Sequence, residues 1–305
     1  MTHITDKLYQ KKWGVFNHYL YRTVSNEGQI AWEDAIESID VERIASQVSE
    51  LGAGYYVITL CQGCKHLLAP NETYNRILGV TTEEVSAERD VIPELYRALS
   101  RRGIDLYLYF PSDGPHIDEV YGRKIGFYYN FDEMTDKVNK VLEEKRLNME
   151  FIQKWASVLE EYAVRYGDMI SGWWMDGFYD YFGFHEERIK PFYDAIKKGN
   201  PNAITAFNNG VKPEIGRWYS QEEFTAGEFN ELEYVPKARF IDGAQSHILA
   251  PLGTTWGSPD ARYSNEYMRN YIKTVNEHGG VVSVDINVTA DGTFSAEQME
   301  ALKLR

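Results

Sequence analysis

Two rhythms of apolar residues alternate along this chain. Helical spacing runs through Val41, Ile44, Ala45, Val48 and Leu51, through Val91 to Ser100, and through Leu147 to Tyr166 at Phe151, Ile152, Trp155, Val158, Leu159 and Tyr162. It returns in Ile189 to Lys198, Tyr263 to Glu277 and Ala296 to Leu304. Between these stretches lie short continuous runs of β-branched and aromatic residues, the pattern of strands buried on both faces. They are Trp13 to Tyr19, Tyr55 to Leu60, Ile104 to Phe110, Ile170 to Asp176, Ala203 to Phe207 and Val281 to Ile286. Gly52, Gly103, Gly199-Asn200-Pro201 and Gly279-Gly280 close the helices.

Strand and helix thus alternate at least six times. That pattern predicts an α/β fold with a parallel sheet, and a count near eight favours a (β/α)8 TIM-like barrel formed by residues 1–305 as one domain. From Asn208 to Pro251 the periodicity is weak, so strands six and seven are placed only loosely, near Thr225 and Ala244, and the barrel is expected to be irregular there. Two long loops, about thirty residues after Leu60 and from Ile117 to about Asp136, follow strands. In a barrel this puts them on the catalytic face.

Composition narrows the partners. A net charge of −14 argues against nucleic acid or an anionic membrane, because phosphate contacts need Lys and Arg. With 22 Tyr and 7 Trp, the chain has ample rings on which a sugar face can stack, although a large core would use them too. The N-terminus lacks a signal-peptide pattern and no apolar run could span a bilayer, which predicts a cytoplasmic protein. Cys61 and Cys64, the only cysteines, form an isolated C-x-x-C. A redox pair or half a zinc site are the alternatives to two reduced thiols in a loop.

The candidate chemistry lies at strand ends: His18, Cys61 and Gln62, Tyr109, Asp176, Asn208, Glu228, Trp256 and Asp285. Only Asp176, Glu228 and Asp285 among them are strong acids or bases. No H-x-H or H-x-x-x-H pair suggests a metal, no G-x-S-x-G elbow suggests a serine hydrolase, and no G-x-G-x-x-G follows the first strand. No metal or cofactor is therefore expected. Two carboxylates from different strands amid aromatic residues are the minimum for glycoside hydrolysis. Asp176-Gly177 is also ordinary turn material.

At this point a resemblance enters. Trp174-Met175-Asp176-Gly177 resembles the Trp-x-Asp-Gly nucleophile motif of the α-L-fucosidase family of retaining glycoside hydrolases. In order along the chain, Trp13 to His18 resembles that family's first strand and Leu51 to Thr59 the approach to its second. Arg89-Asp90-Val91 through Tyr109 matches its third unit, Phe224 to Glu228 a Thr-x-Glu segment, and Gly279 to Thr293 its last strand and loop. The resemblance implies a retaining exo-glycosidase acting on a terminal α-L-fucosyl or related α-L-sugar. Asp176 would be the nucleophile, held at low pKa by hydrogen bonds, and Glu228 the acid/base. Glu222, Glu223 and Glu231 are the alternatives for the acid/base, whose position varies in the family. His18, Trp32, Gln62, Tyr109, Trp174, Asn208 and Trp256 are the implied sugar contacts.

Two departures qualify this. Where the family carries Lys-His-His, with both imidazoles on the sugar, this chain has Cys61-Gln62-Gly63-Cys64, so Gln62 and Gly63 replace the histidine pair. Asp285 stands at a family Asn position, either as a further sugar contact or to fix a neighbouring Lys or Arg. No stretch corresponds to the β-sandwich that follows the family's barrel. The altered pair leaves open a different sugar, or a carbohydrate-binding barrel derived from a fucosidase that no longer hydrolyses.

Overall fold

A computed structural model describes residues 3–25, 29–129 and 148–303. The periodic segments form as their spacing predicts. The helix Val41–Leu51 starts where the Asp40 side chain accepts from the Arg43 amide, and Met149–Tyr166 starts on the same kind of cap from Asn148. The later helices are Glu186–Gly199, Asn265–Glu277 and Ala296–Ala301. The long loop after the second strand contains a further helix, Glu72–Leu78, and the next long loop contains Glu119–Ile125. Positions 130–136 of that loop, the helix start at Leu147 and the helix end at Leu304 fall outside the described residues.

The strands are β1 (Trp13–Asn17), β2 (Tyr55–Thr59), β3 (Asp105–Pro111), β4 (Ile170–Asp176), β5 (Ile204–Phe207), β6 (Phe240–Ile241), β7 (Ala244–Gln245), β8 (His247–Pro251) and β9 (Val281–Asp285). Seven of them make one parallel sheet in the order β5-β4-β3-β2-β1-β9-β8. β6 and β7 form a separate antiparallel ribbon.

The gap between β5 and β8 is filled by the extended segment from Glu223 to Glu228. The Glu223 and Phe224 amides donate to the Thr205 carbonyl of β5. On the other side, Phe224 bridges Gln245 and Glu228 bridges Leu249 of β8. The fold is a TIM-like barrel, irregular at this one seam. Thr225 therefore lies where a strand is expected, but in an extended segment; the regular strand of the region is β8, and Ala244 sits in the ribbon before it. The seam is tight. Gly227 takes a left-handed φ of 59°, and a Cβ there would fall 1.9 Å from the His247 carbonyl oxygen.

Strand parity sorts the core into two layers. Phe16, Tyr55, Val57, Tyr107, Tyr109, Trp174, Ala206, Phe224, Ala226, Leu249 and Val281 pack together inside the barrel. Their neighbours Val15, Tyr56, Ile58, Leu108, Trp173 and Met175 pack outward against the helices. Side chains two residues apart share a face of a strand. The last inward positions are therefore His18, two beyond Phe16; Asp176, two beyond Trp174; Asn208, two beyond Ala206; and Glu228, two beyond Ala226. Asp285 follows Val281 by four. These polar residues ring the C-terminal mouth of the barrel because apolar residues of the same parity fill the layers below them.

Candidate active site

The mouth holds a cavity of about 260 Å³ lined by His18, Gln62, Tyr109, Trp174, Asp176, Tyr179, Glu228 and Trp256, with Leu20, Thr23 and Leu249. At its floor the Tyr109 and Trp174 rings stack, 5.6 Å between centroids. The Trp174 indole nitrogen donates to the Ala226 carbonyl at 3.0 Å, tying β4 to the irregular seam. Trp256 meets the His18 ring edge-on at 5.5 Å.

Asp176 accepts four hydrogen bonds, the longest from the Gln62 amide to Oδ2 at 3.5 Å. Oδ2 accepts from the Tyr109 hydroxyl at 2.5 Å; Oδ1 accepts from the Asn208 amide and from the Gly177 backbone N–H, each at 2.8 Å. Gly177 turns the chain here with a φ of 76°, and a Cβ on it would lie 2.8 Å from the Ser112 hydroxyl oxygen. Gln62 extends the chain of bonds, donating to the Tyr109 oxygen at 2.7 Å.

The same Asn208 nitrogen donates to Glu228 Oε2 at 2.6 Å. Its orientation is set by the other end of the amide, because Oδ1 of Asn208 accepts from the Gly210 N–H at 3.0 Å. The two carboxylate oxygens cannot lie farther apart than those two bonds laid end to end. That is within the separation of about 5.5 Å at which one carboxylate can attack a sugar while the other protonates its leaving group.

The electrostatics divide the pair. Burial raises the pKa of Asp176, and the bonds from Tyr109, Asn208 and Gly177 only partly offset it, so the expected low pKa is not what the site produces. Glu228 is pushed up to about 7, by burial first and by the Asp176 charge second. Four donors aim at Asp176 and one at Glu228. When the pair carries a single proton, that proton sits on Glu228.

His18 also lines the cavity. Its Nδ1 donates to Asp285 Oδ1 at 2.8 Å, while Asp285 Oδ2 accepts from the Gly257 N–H at 2.7 Å. Burial pulls the His18 pKa down, but the Asp285 charge and hydrogen bond outweigh it and leave the imidazole above its ordinary value. Asp285 thus fixes a histidine and a loop rather than a Lys or Arg, and it lies behind His18 rather than facing a sugar.

The other glutamates near the seam are committed elsewhere. Glu222 accepts from the Phe207 and Trp218 amides, Glu223 binds Thr205 and pairs with Lys197 at 2.5 Å, and Glu231 pairs with Arg262 at 2.7 Å. None of the three lines the cavity. Trp32 is also outside it, buried with its indole nitrogen donating to the Leu67 carbonyl at 2.7 Å and its ring against Tyr19, Tyr21 and His66. Asn208 stands behind the two carboxylates as their shared donor rather than on the cavity wall. Tyr179 was not among the sequence candidates, although its place three residues after Asp176 could have drawn attention to it.

Cys61 and Cys64 are unpaired, and burial raises both thiol pKa values. Among the described residues no three His, Cys, Asp or Glu side chains gather as metal ligands, and no helix is long and apolar enough to cross a membrane.

No protein-family model matches the sequence, and no curated protein does. Solved structures do. The unliganded α-L-fucosidase AlfC from Lactobacillus casei superposes with a TM-score of 0.69 at 16% identity, over 99% of this chain and 97% of that one. An α-L-fucosidase of family GH29 from Bacteroides thetaiotaomicron gives 0.66 at 16% identity, over 99% of this chain and 72% of that one. An endo-fucoidan hydrolase of glycoside hydrolase family 107 gives 0.71 at 16% identity, and this chain spans only 53% of its length. At such identity the shared property is the barrel and its chain path.

Proposed function

We infer that this protein is a retaining glycoside hydrolase acting on α-L-fucosyl or closely related α-L-sugars. The observation that carries the reading is the single Asn208 nitrogen clasping Asp176 and Glu228 in one sugar-sized cavity. Asp176 attacks the anomeric carbon as the glycosidic C–O bond breaks, and the Glu228 proton passes to the leaving oxygen. Glu228, now a carboxylate, takes a proton from water; that water opens the glycosyl ester and frees Asp176. His18, Gln62, Tyr109, Trp174 and Trp256 contact the sugar. Support for the sugar class comes from the sequence resemblance and from structural neighbours named as fucosidases and a fucoidan hydrolase.

Hydrolysis of an aryl α-L-fucoside followed by proton NMR tests this. The α-anomer should appear first and mutarotate later. First release of the β-anomer, or no cleavage of any α-L-glycoside, would overturn the reading. One observation favours a second reading, a barrel that binds sugar without cleaving it: Gln62 and Gly63 stand where the family has two histidines. Tight sugar binding without turnover in the same assay would establish it.

A further inference from the structure

A second cavity of about 240 Å³ adjoins the first. The two share Leu20, Thr23, Gln62, Tyr109, Asp176 and Tyr179 as a common wall. Beyond that wall the second cavity is lined by Arg22, Asp113, His116, Ile117 and Tyr129. Asp113 and His116 come from the loop after β3 and are only 7% and 4% exposed. Asp113 Oδ2 lies 3.1 Å from His116 Nδ1 and accepts from the Tyr129 hydroxyl at 3.4 Å. The Tyr129 ring lies flat on the His116 imidazole, 4.1 Å between centroids and 7° from parallel.

A fixed acceptor, a fixed imidazole, a tyrosine hydroxyl and a guanidinium around one space suit a ligand rich in hydroxyls. Two carboxylates, Asp113 and Asp176, border that space against the single guanidinium of Arg22, so a sulfate or carboxylate would find no net attraction there. The ligand is a neutral sugar unit.

Its place in the reaction follows from which acid borders which cavity. Asp176 lines both, whereas Glu228 lines only the first. In a retaining displacement the leaving group departs on the acid's side, opposite the nucleophile. A unit in the second cavity has no access to Glu228 and is not the leaving group. We propose that the second cavity is a subsite for a further neutral sugar attached to the glycosyl residue being cleaved. The enzyme then works on a substituted or internal residue in preference to a bare terminal one. This rests on the retaining-glycosidase reading above.

The test uses the full-length enzyme and aryl α-L-fucosides, plain or carrying one fucosyl unit on O2, O3 or O4. At least one substituted glycoside should exceed the plain one by about tenfold or more in kcat/KM. Ile117→Trp, which fills the second cavity with an indole, should bring that ratio to one or below. Cleavage of the plain glycoside with refusal of every substituted one would overturn the subsite and leave the retaining-glycosidase reading standing. So would a ratio under about tenfold in the wild type, or one that a folded Ile117→Trp variant leaves untouched. Failure to cleave either kind would overturn both. The wild-type panel decides even if the variant does not fold.

Discussion

Asp285 holds His18 with one carboxylate oxygen and the Gly257 amide, next to Trp256, with the other, at 2.8 and 2.7 Å. One buried acid thereby orients two walls of the cavity, an imidazole and an indole. Asp285→Asn removes the charge that raises the His18 pKa and should lower it. The raised pKa means that His18 stabilises the fold fully below its unfolded value, and that this contribution fades as pH rises through the native value. The stability gap between wild type and Asp285→Asn should accordingly be widest in acid and narrow towards alkaline pH. NMR titration of His18 and thermal melts across pH check both. Loss of the charged bond should also cost about 1.5–3 kcal/mol of transition-state binding, roughly tenfold or more in kcat/KM.

Glu228 carries the same sign for a different reason, burial of an acid. Its folded pKa of about 7 lies above the ordinary glutamate value, so the native state holds a proton that the unfolded chain releases. Stability should fall as pH rises from about 4.5 to 7, by a few kcal/mol at most. Glu228→Gln should melt higher than wild type at pH 8 and about the same at pH 4. The basic limb of kcat/KM should fall through about 7, where the proton needed by the leaving group is lost. Calorimetry and a pH–rate profile read these two consequences separately.

Asn208→Ala deletes the donor shared by Asp176 and Glu228. Both acids lose a bond to the charged form, so both pKa values should rise and the acid limb should move to higher pH. We expect kcat to fall about a hundredfold, the scale seen when one preorganised donor is removed from an active site. An unchanged pH profile would show that the clasp has no electrostatic role.

Asp176→Asn should abolish turnover while the barrel still folds, since the residue sits at the mouth above the packed layers. Nucleophile and acid separate by rescue chemistry. Glu228→Ala should slow substrates with poor leaving groups far more than activated aryl glycosides, and azide should restore turnover to give a glycosyl azide of retained configuration. Asp176→Gly with azide should give the inverted product. If azide leaves Glu228→Ala unrescued, the acid is another residue.

The sequence by itself determined the barrel, because its strands are buried on both faces and its helices on one, and both periods survive in the order of residues. It also determined which side chains reach the mouth. His18, Asp176 and Asn208 are each two residues beyond an inward apolar residue of a regular strand, and that parity is a property of the chain alone. It did not determine the seam. Glu223 to Glu228 has no strand pattern because its backbone bonds irregularly: its amides donate to Thr205 on one side and to Gln245 of β7 on the other, and the Gly227 carbonyl accepts from Leu249 of β8. Only the tertiary structure decided that Glu228, and not Glu222, Glu223 or Glu231, faces Asp176, since all four look alike in sequence and differ only in what surrounds them. It alone placed Trp32 outside the cavity and turned Asn208 into a clasp. It also raised the Asp176 pKa where hydrogen bonds alone would have lowered it. Desolvation depends on the neighbours that long-range packing brings in, and no local pattern of residues records it.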